Sequence, residues 1–258
     1  MNVPKITQIF RLAGLLGWQD VRQAYRRSAL GPFWITIGMA IQIATMGIVF
    51  SLIFKMEIRE YLPFLATNMI LWGFFSSVII EGCASLIAGE SIIKQLEVPY
   101  SMFAIRVIWK NIVNLSHNAV LLPIIFLIFS TPIDFGPLLL FIPGLVLLLA
   151  NLAWLTMLLG LFCARYRDMA PIINSLLTVV YFVTPIMWLP NLLGNNLLAH
   201  LLLGLNPVYH LFQIVRQPLL GEYPTLENWF AAVAILIVGA LATKLSYKKF
   251  QSLIPFWV

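Results

Sequence analysis

Six apolar stretches, each long enough to cross a bilayer as a helix, leave this chain few folds to choose from. They are Phe33–Phe54, free of charge; Leu62–Ile87, whose one charge is Glu81; Ile112–Phe129, carrying Asn114, Ser116, His117 and Asn118; Leu138–Cys163; Ile172–Leu189; and Trp229–Leu245, where Lys244 can snorkel to the headgroups. A hydrocarbon core about 30 Å thick takes roughly 20 helical residues, because without water each backbone N–H and C=O must be satisfied within its own segment. Composition agrees, with 61% hydrophobic and 10% charged residues against about 45–50% and 25% in soluble domains. The expected fold class is all-α integral membrane, with six transmembrane helices in a single domain over 1–258 and no part able to fold as a soluble catalytic domain.

A seventh apolar piece, Leu192–Leu205, is too short to cross. Gly194, Asn195 and Asn196 break it, Gly204 closes it, and Asn206 and Pro207 follow. Residues 190–205 suit a re-entrant helix pair that enters and leaves one face; an interfacial loop lying flat fits the same pattern. The re-entrant pair between spans five and six is the expectation adopted.

Basic residues set the orientation. The arm over 1–30 holds Lys5, Arg11, Arg22, Arg26 and Arg27; the loop after span two holds Lys94, Arg106 and Lys110; the loop after span four holds Arg165 and Arg167; and the C-terminal end holds Lys244, Lys248 and Lys249. Only Lys55, Arg59 and Arg216 fall on the other side. Thirteen against three is a strong positive-inside bias, placing both termini in the cytoplasm, as an even number of spans requires. The net charge of +6 thereby becomes a topology signal and not a sign of nucleic-acid binding.

Several chemistries find no support. Cys83 and Cys163 lie inside apolar runs and read as small buried hydrophobes. The start of the chain, with Lys5, Arg11, Asp20 and Arg22, lacks the apolar core of a removable signal peptide. His117, His200 and His210 have no metal-ligand spacing. There is no phosphate-binding G-x-x-x-x-G-K-[ST] run and no carboxylate pair set for group transfer. An energy source must come from a partner or a gradient.

Five features remain as carriers of function. The arm spaces Ile6, Phe10, Ala13 and Leu16, then Trp18, Val21 and Tyr25, at helical intervals with Arg22, Arg26 and Arg27 off the stripe. That is the pattern of a basic amphipathic helix at the membrane surface, and equally of a plain positive-inside anchor. In the loop over 88–111, Glu90 and Lys94 stand four apart in the favourable order, with Ser91 or Gly89 as the cap and Pro99 as the stop. Such a helix can dock into a soluble partner, or be only a solvated connector. Arg165, Tyr166, Arg167 and Asp168 can pair with carboxylates or lipid phosphates. Glu81 lies near the cytoplasmic end of its span with no evident basic partner, and reads as a structural or pore-facing carboxylate. Among the aromatics, Trp72, Phe75, Tyr181, Phe182 and Trp188 are candidates for a sugar-stacking lining, although helix packing accounts for such residues as well.

The assembled pattern resembles the permease subunit of ABC-2 type polysaccharide exporters, the family serving O-antigen, capsule and teichoic acid. The likeness rests on Trp18-Gln19-Asp20-Val21-Arg22 with Tyr25 to Trp34, on Ile92-Ile93-Lys94 with Pro99, on Arg165 to Asp168, on Thr184-Pro185-Ile186, and on Asn206-Pro207 with Arg216 downstream. The resemblance implies a homodimer in the bacterial inner membrane, working with two ATP-binding cassette subunits that bind ATP and Mg; this chain carries no cofactor or ATPase site of its own. It implies export of an undecaprenyl-pyrophosphate-linked polysaccharide, most readily O-antigen, through a channel between the two copies. Glu90, Ser91, Lys94, Gln95, Glu97 and Pro99 then belong to the coupling helix. Arg22, Arg26, Arg27, Arg165, Arg167 and Asp168 become interface and pyrophosphate contacts, and the aromatic set with Glu81 lines the channel. Where the family often has Phe-Pro after the coupling lysine, this chain has Glu97-Val98-Pro99. Two other classes stay open from the residues alone: an integral membrane enzyme using Glu81 or His117 on lipid-linked sugars, and a proton-driven secondary transporter.

Overall fold

A computed structural model describes residues 6–26, 28, 30–31, 33–96, 98–131, 134–193 and 197–258. The described residues are helical wherever they are regular. An amphipathic helix α1 (Ile6–Ala24) precedes α2 (Phe33–Phe54) and α3 (Ile58–Ala84). A short α4 (Glu90–Gln95) leads into α5 (Ser101–Ala119) and α6 (Leu121–Ile128), and a single turn, α7 (Phe135–Leu138), into α8 (Phe141–Arg165). The chain continues through α9 (Met169–Val183), a 3-10 turn (Pro190–Leu193), α10 (Leu197–Gly204) and α11 (Pro207–Leu219). It ends with α12 (Leu226–Phe250), a second 3-10 turn (Gln251–Leu253) and α13 (Ile254–Trp257).

Among the described residues, five helical segments are long and apolar enough to cross a membrane: Phe33–Phe54, Ile58–Ala84, Ser101–Ile128, Phe135–Arg165 and Leu226–Trp257. The first has the bounds expected from sequence. It is preceded by Gly31 in a left-handed turn and stopped at Lys55, also left-handed at φ 55°. The expected fifth span, Ile172–Leu189, is a helix only over the 15 residues Met169–Val183, about 22 Å long. Pro185 accounts for the early stop: it forces Thr184 into extended backbone, with ψ 136°. The expected third span begins 11 residues too late, since helix starts at Ser101. Arg106 and Lys110, assigned to a loop, are helical, and carboxylates from α1 and α3 meet them there.

The central helix is α3, buried on nearly every face from Tyr61 to Cys83. Around it α8, α5, α2, α9 and α11 assemble one large core, in which Leu65, Val78, Leu148 and Ile214 are fully enclosed. Close backbone crossings need glycine at two positions. A Cβ on Gly144 of α8 would lie 2.1 Å from the Ile214 carbonyl of α11, and one on Gly239 of α12 would lie 2.1 Å from the Trp154 ring. Some polar side chains within spans bond to backbone, as when Thr67 donates to the Pro63 carbonyl and Asn151 to those of Leu147 and Ala232.

Helix α11 was not foreseen. Sequence placed Arg216 on the external side and gave its surroundings no helix, yet α11 is amphipathic and buries Val208, Leu211, Phe212 and Val215 against α8, α12 and α3. Its start is well specified: Pro207 takes the first position and Asn206 accepts from the backbone N–H of Val208 and Tyr209. Of the expected re-entrant segment, the 3-10 turn and α10 are seen; Gly194, Asn195 and Asn196 lie outside the described residues.

Candidate functional site

One end of the bundle gathers the basic elements. Helix α1 lies along α5, and its inward line is Ala13, Gly17 and Val21. The expected stripe is thereby shifted, with Phe10 58% and Trp18 49% exposed. Small residues face inward because the helices nearly touch: a Cβ on Gly17 would sit 3.0 Å from the Arg106 carbonyl. Exposed Phe10, Leu15 and Trp18 give α1 the outer apolar face of an interfacial helix.

Between α1, the end of α3 and α5 lies a polar cleft of about 380 Å³. Arg106 donates from Nε and Nη2 to the two Asp20 carboxylate oxygens at 2.7 and 2.6 Å, a bidentate clamp fixing α1 on α5. Lys110 donates to Glu81 at 2.8 Å and Asn111 to its other oxygen at 3.0 Å. Glu81 therefore has the basic partner that the sequence reading failed to find. It faces this cleft and not the groove at mid-span.

Helix α4 sits at the edge of the bundle, with Glu90, Ser91, Lys94 and Gln95 exposed, Ile92 and Ile93 partly covered, and no residue fully buried. Gly89 precedes it, and no side chain caps it. The expected ion pair is present, Lys94 to Glu90 at 2.7 Å. The Lys94 hydrogen bond and charge hold the Glu90 carboxyl below its ordinary range, with Arg167 adding to the effect. Pro99 is half-buried and its carbonyl accepts from the Met102 N–H, starting α5. Glu97 and Arg27 lie outside the described residues.

The expected arginine contacts do not form one cluster. Arg22 and Arg26 are exposed at and beyond the last turn of α1. Arg165 is stacked against Tyr166, Phe250 and Trp257, and Arg167 donates to the Trp257 carbonyl at 3.3 Å. Asp168 is exposed before α9 and caps nothing with its side chain.

At mid-span an open groove of about 390 Å³ runs between α2, α3 and α9. Trp72, Tyr181 and Phe182 line it together with Gln42, Ser76, Asn174 and Thr178. Trp72 and Tyr181 pack with ring centroids 5.3 Å apart, and Tyr181 and Phe182 meet edge-on at 5.4 Å. Aromatic faces beside amide and hydroxyl groups can stack on a sugar while hydrogen-bonding its hydroxyls. Two candidates fall outside this surface. Phe75 is only 2% exposed, packed behind Trp72 against Phe212, and Trp188 lies beyond α9, where its indole donates to the Phe182 carbonyl at 3.0 Å.

With that geometry in place, the sequence matches become informative. The family model described as ABC-2 type transporter matches residues 11–220. The chain belongs to the ABC-2 type transporter family. Its relatives include the O-antigen export system permease protein RfbA of Myxococcus xanthus, 21% identical over 238 residues that cover 90% of this chain and 91% of that protein. The protein of the same description from Klebsiella pneumoniae is 23% identical over 253 residues, covering 93% and 94%. This ABC-2 permease is accordingly a multi-pass membrane subunit of a transporter and not itself an enzyme. The family match takes in α1 from Arg11 onward, α4, Arg165 to Asp168 and the groove.

Sequence reasoning passed over the permease's internal polar locks. Arg216 of α11, counted as an external charge, is 4% exposed and donates to Asn68 at 3.1 Å and the Pro185 carbonyl at 3.0 Å. Asn206 donates to Thr184 at 2.9 Å, and the Tyr61 hydroxyl to the Met187 carbonyl. Together they hold the irregular backbone after α9. Only the Asn206-Pro207 pair advertised itself locally, as a helix start; the partners are too distant in sequence for spacing to reveal.

Proposed function

We propose that this chain is the membrane-spanning subunit of an ATP-driven exporter that carries a lipid-linked polysaccharide, O-antigen by preference, across the bacterial inner membrane. The observation that carries the reading is similarity to O-antigen export permeases along 90% or more of both sequences. Two copies of the chain associate, and two ATP-binding cassette subunits, loaded with ATP and Mg, sit on the cytoplasmic side with both termini of the permease. Helix α4 is the coupling helix, offering Glu90, Ser91, Lys94 and Gln95 to the ATPase. Closure of the nucleotide-bound subunits presses on α4 and tilts the crossings. The aromatic and amide groove of α2, α3 and α9 forms half of the sugar path, and its counterpart on the second copy forms the rest. The segment over 190–205 is the external re-entrant pair. Arg22 and Arg26, exposed beside the polar cleft, are better placed for the undecaprenyl pyrophosphate than Arg165 and Arg167, which are already engaged.

Lys94→Glu tests the coupling role, because it sets two carboxylates four residues apart on α4 and inverts the charge shown to the ATPase. In proteoliposomes containing both subunits, glycan export and glycan-stimulated ATP hydrolysis should fall about tenfold, equivalent to about 1.4 kcal/mol of docking energy. Membrane insertion should be unchanged. Full export by this variant would remove α4 from the coupling path.

A further inference from the structure

Beyond α12 the chain turns back on itself. The 3-10 turn Gln251–Leu253 and α13 fold beneath the ends of α8 and α12, so that Ile254 is fully enclosed and Val258 is 8% exposed. They complete a second, smaller core with Ala13, Leu86, Phe103 and Leu161. The apolar side of α4, Ile92 and Ile93, packs onto that same core, and α13 touches α4 directly. A helix of six residues with none buried is too short to hold its own shape or place. What positions α4 is the pad beneath it, and the 251–258 hook supplies part of that pad.

The hook is fastened on several sides. The Tyr100 hydroxyl donates to the Gln251 carbonyl at 3.3 Å, and Arg167 donates to the Trp257 carbonyl at 3.3 Å. Arg165, last residue of α8, sets its guanidinium 5.1 Å from the Trp257 ring centroid, 5.6 Å from Phe250 and 5.1 Å from Tyr166. No carboxylate pairs with it among the described residues. Three rings around one planar cation are an arrangement that guanidinium fills and a compact ammonium does not. At the same end Tyr247 donates to the Met157 carbonyl at 3.1 Å, joining α12 to α8.

We propose that the 251–258 hook is the backstop of α4, and that Arg165 is the positioning residue that bolts it to α8, so that force arriving at α4 reaches α8 and α12 together. The family match stops at residue 220, so it assigns this segment no role. The nature of that force rests on the export function proposed above.

Amide hydrogen exchange of the full chain in lipid nanodiscs tests the backstop without nucleotide or cargo. Trp257→Ala should speed exchange at Ile92, Ile93 and Leu96 by about tenfold, reporting a lower local opening free energy, while Trp257→Phe should leave it unchanged. Arg165→Lys should behave like Trp257→Ala, because it keeps the charge and loses the plane; a lysine that restores wild-type exchange would overturn the stacking role. Exchange in α3 shows whether the bundle is intact, and if Trp257→Ala loosens it throughout, Arg165→Lys carries the comparison. Unchanged exchange in α4 with α3 protected defeats the proposal. With the ATP-binding subunit bound, Trp257→Ala should keep ATP hydrolysis near wild type and lose export by about tenfold, and a parallel fall of both would overturn the force path. If the wild-type complex exports nothing, the export reading fails on its own, and the exchange result stands.

Discussion

Arg216 carries a full charge inside the bundle, with only neutral groups to receive it. Its guanidinium donates to Gln213, Asn68 and the Pro185 carbonyl and lies 5.0 Å over the Phe64 ring, and no carboxylate stands within ion-pair distance among the described residues. Arg216→Ala should cost about 3 kcal/mol, since it orphans several buried acceptors at once. Arg216→Lys should recover little of this, because one ammonium cannot span acceptors on three elements. Reversible unfolding in mixed micelles measures both. Glu81 poses a milder case, as the Glu81 and Lys110 side chains are 32% and 25% exposed. Glu81→Gln should cost about 1 kcal/mol or less after solvent screening and leave export running; abolished export with intact folding would revive a proton relay. Both residues show why the sequence misled. Arg216 finds Asn68 across 148 positions and Glu81 finds Lys110 across 29, so each looked solitary in its own segment.

At the scale of elements, legibility followed the source of each boundary. Helix α2 ends where local backbone ends it, and its limits could be read directly. Helix α5 begins before its apolar run does, because Arg106 and Lys110 are good helix formers, and the carboxylates that pair with them lie on other helices, which no local pattern shows. The Glu90–Lys94 pair of α4 was visible because both partners lie on one short helix, whereas its support from the 251–258 hook was not. The α8–α11 crossing lies between these cases: Gly144 is plain in the sequence, but its reason is a carbonyl 70 residues away on α11. Gly144→Ala should cost about 2 kcal/mol or more, because the obstacle is backbone and cannot rotate aside. Chemical unfolding of the variant checks this, with Gly38→Ala as a control, since a Cβ at Gly38 meets nothing within 4 Å.

At the scale of the whole molecule, helicity, membrane class and family were within reach of the sequence, because apolar run length and motif order are properties of the entire chain. The groove was reached only in part. Trp72, Tyr181 and Phe182 converge, but Phe75 turns inward, and helical spacing alone does not say which side of a helix meets a neighbour. Energy supply is also a property of the whole. Export in inverted vesicles should continue when a protonophore collapses the gradient and stop when ATP is withdrawn. The opposite pattern would move the chain to the secondary transporters.

The brevity of α9 bears on how the protein is made. Its 15 residues are followed by irregular backbone whose polar groups find Asn206 and Arg216 only after those residues have been synthesised. The final seating of α9 therefore waits on α11, a helix of 13 residues made after it, and a chain that stops short of residue 216 leaves the Pro185 carbonyl without its Arg216 donor.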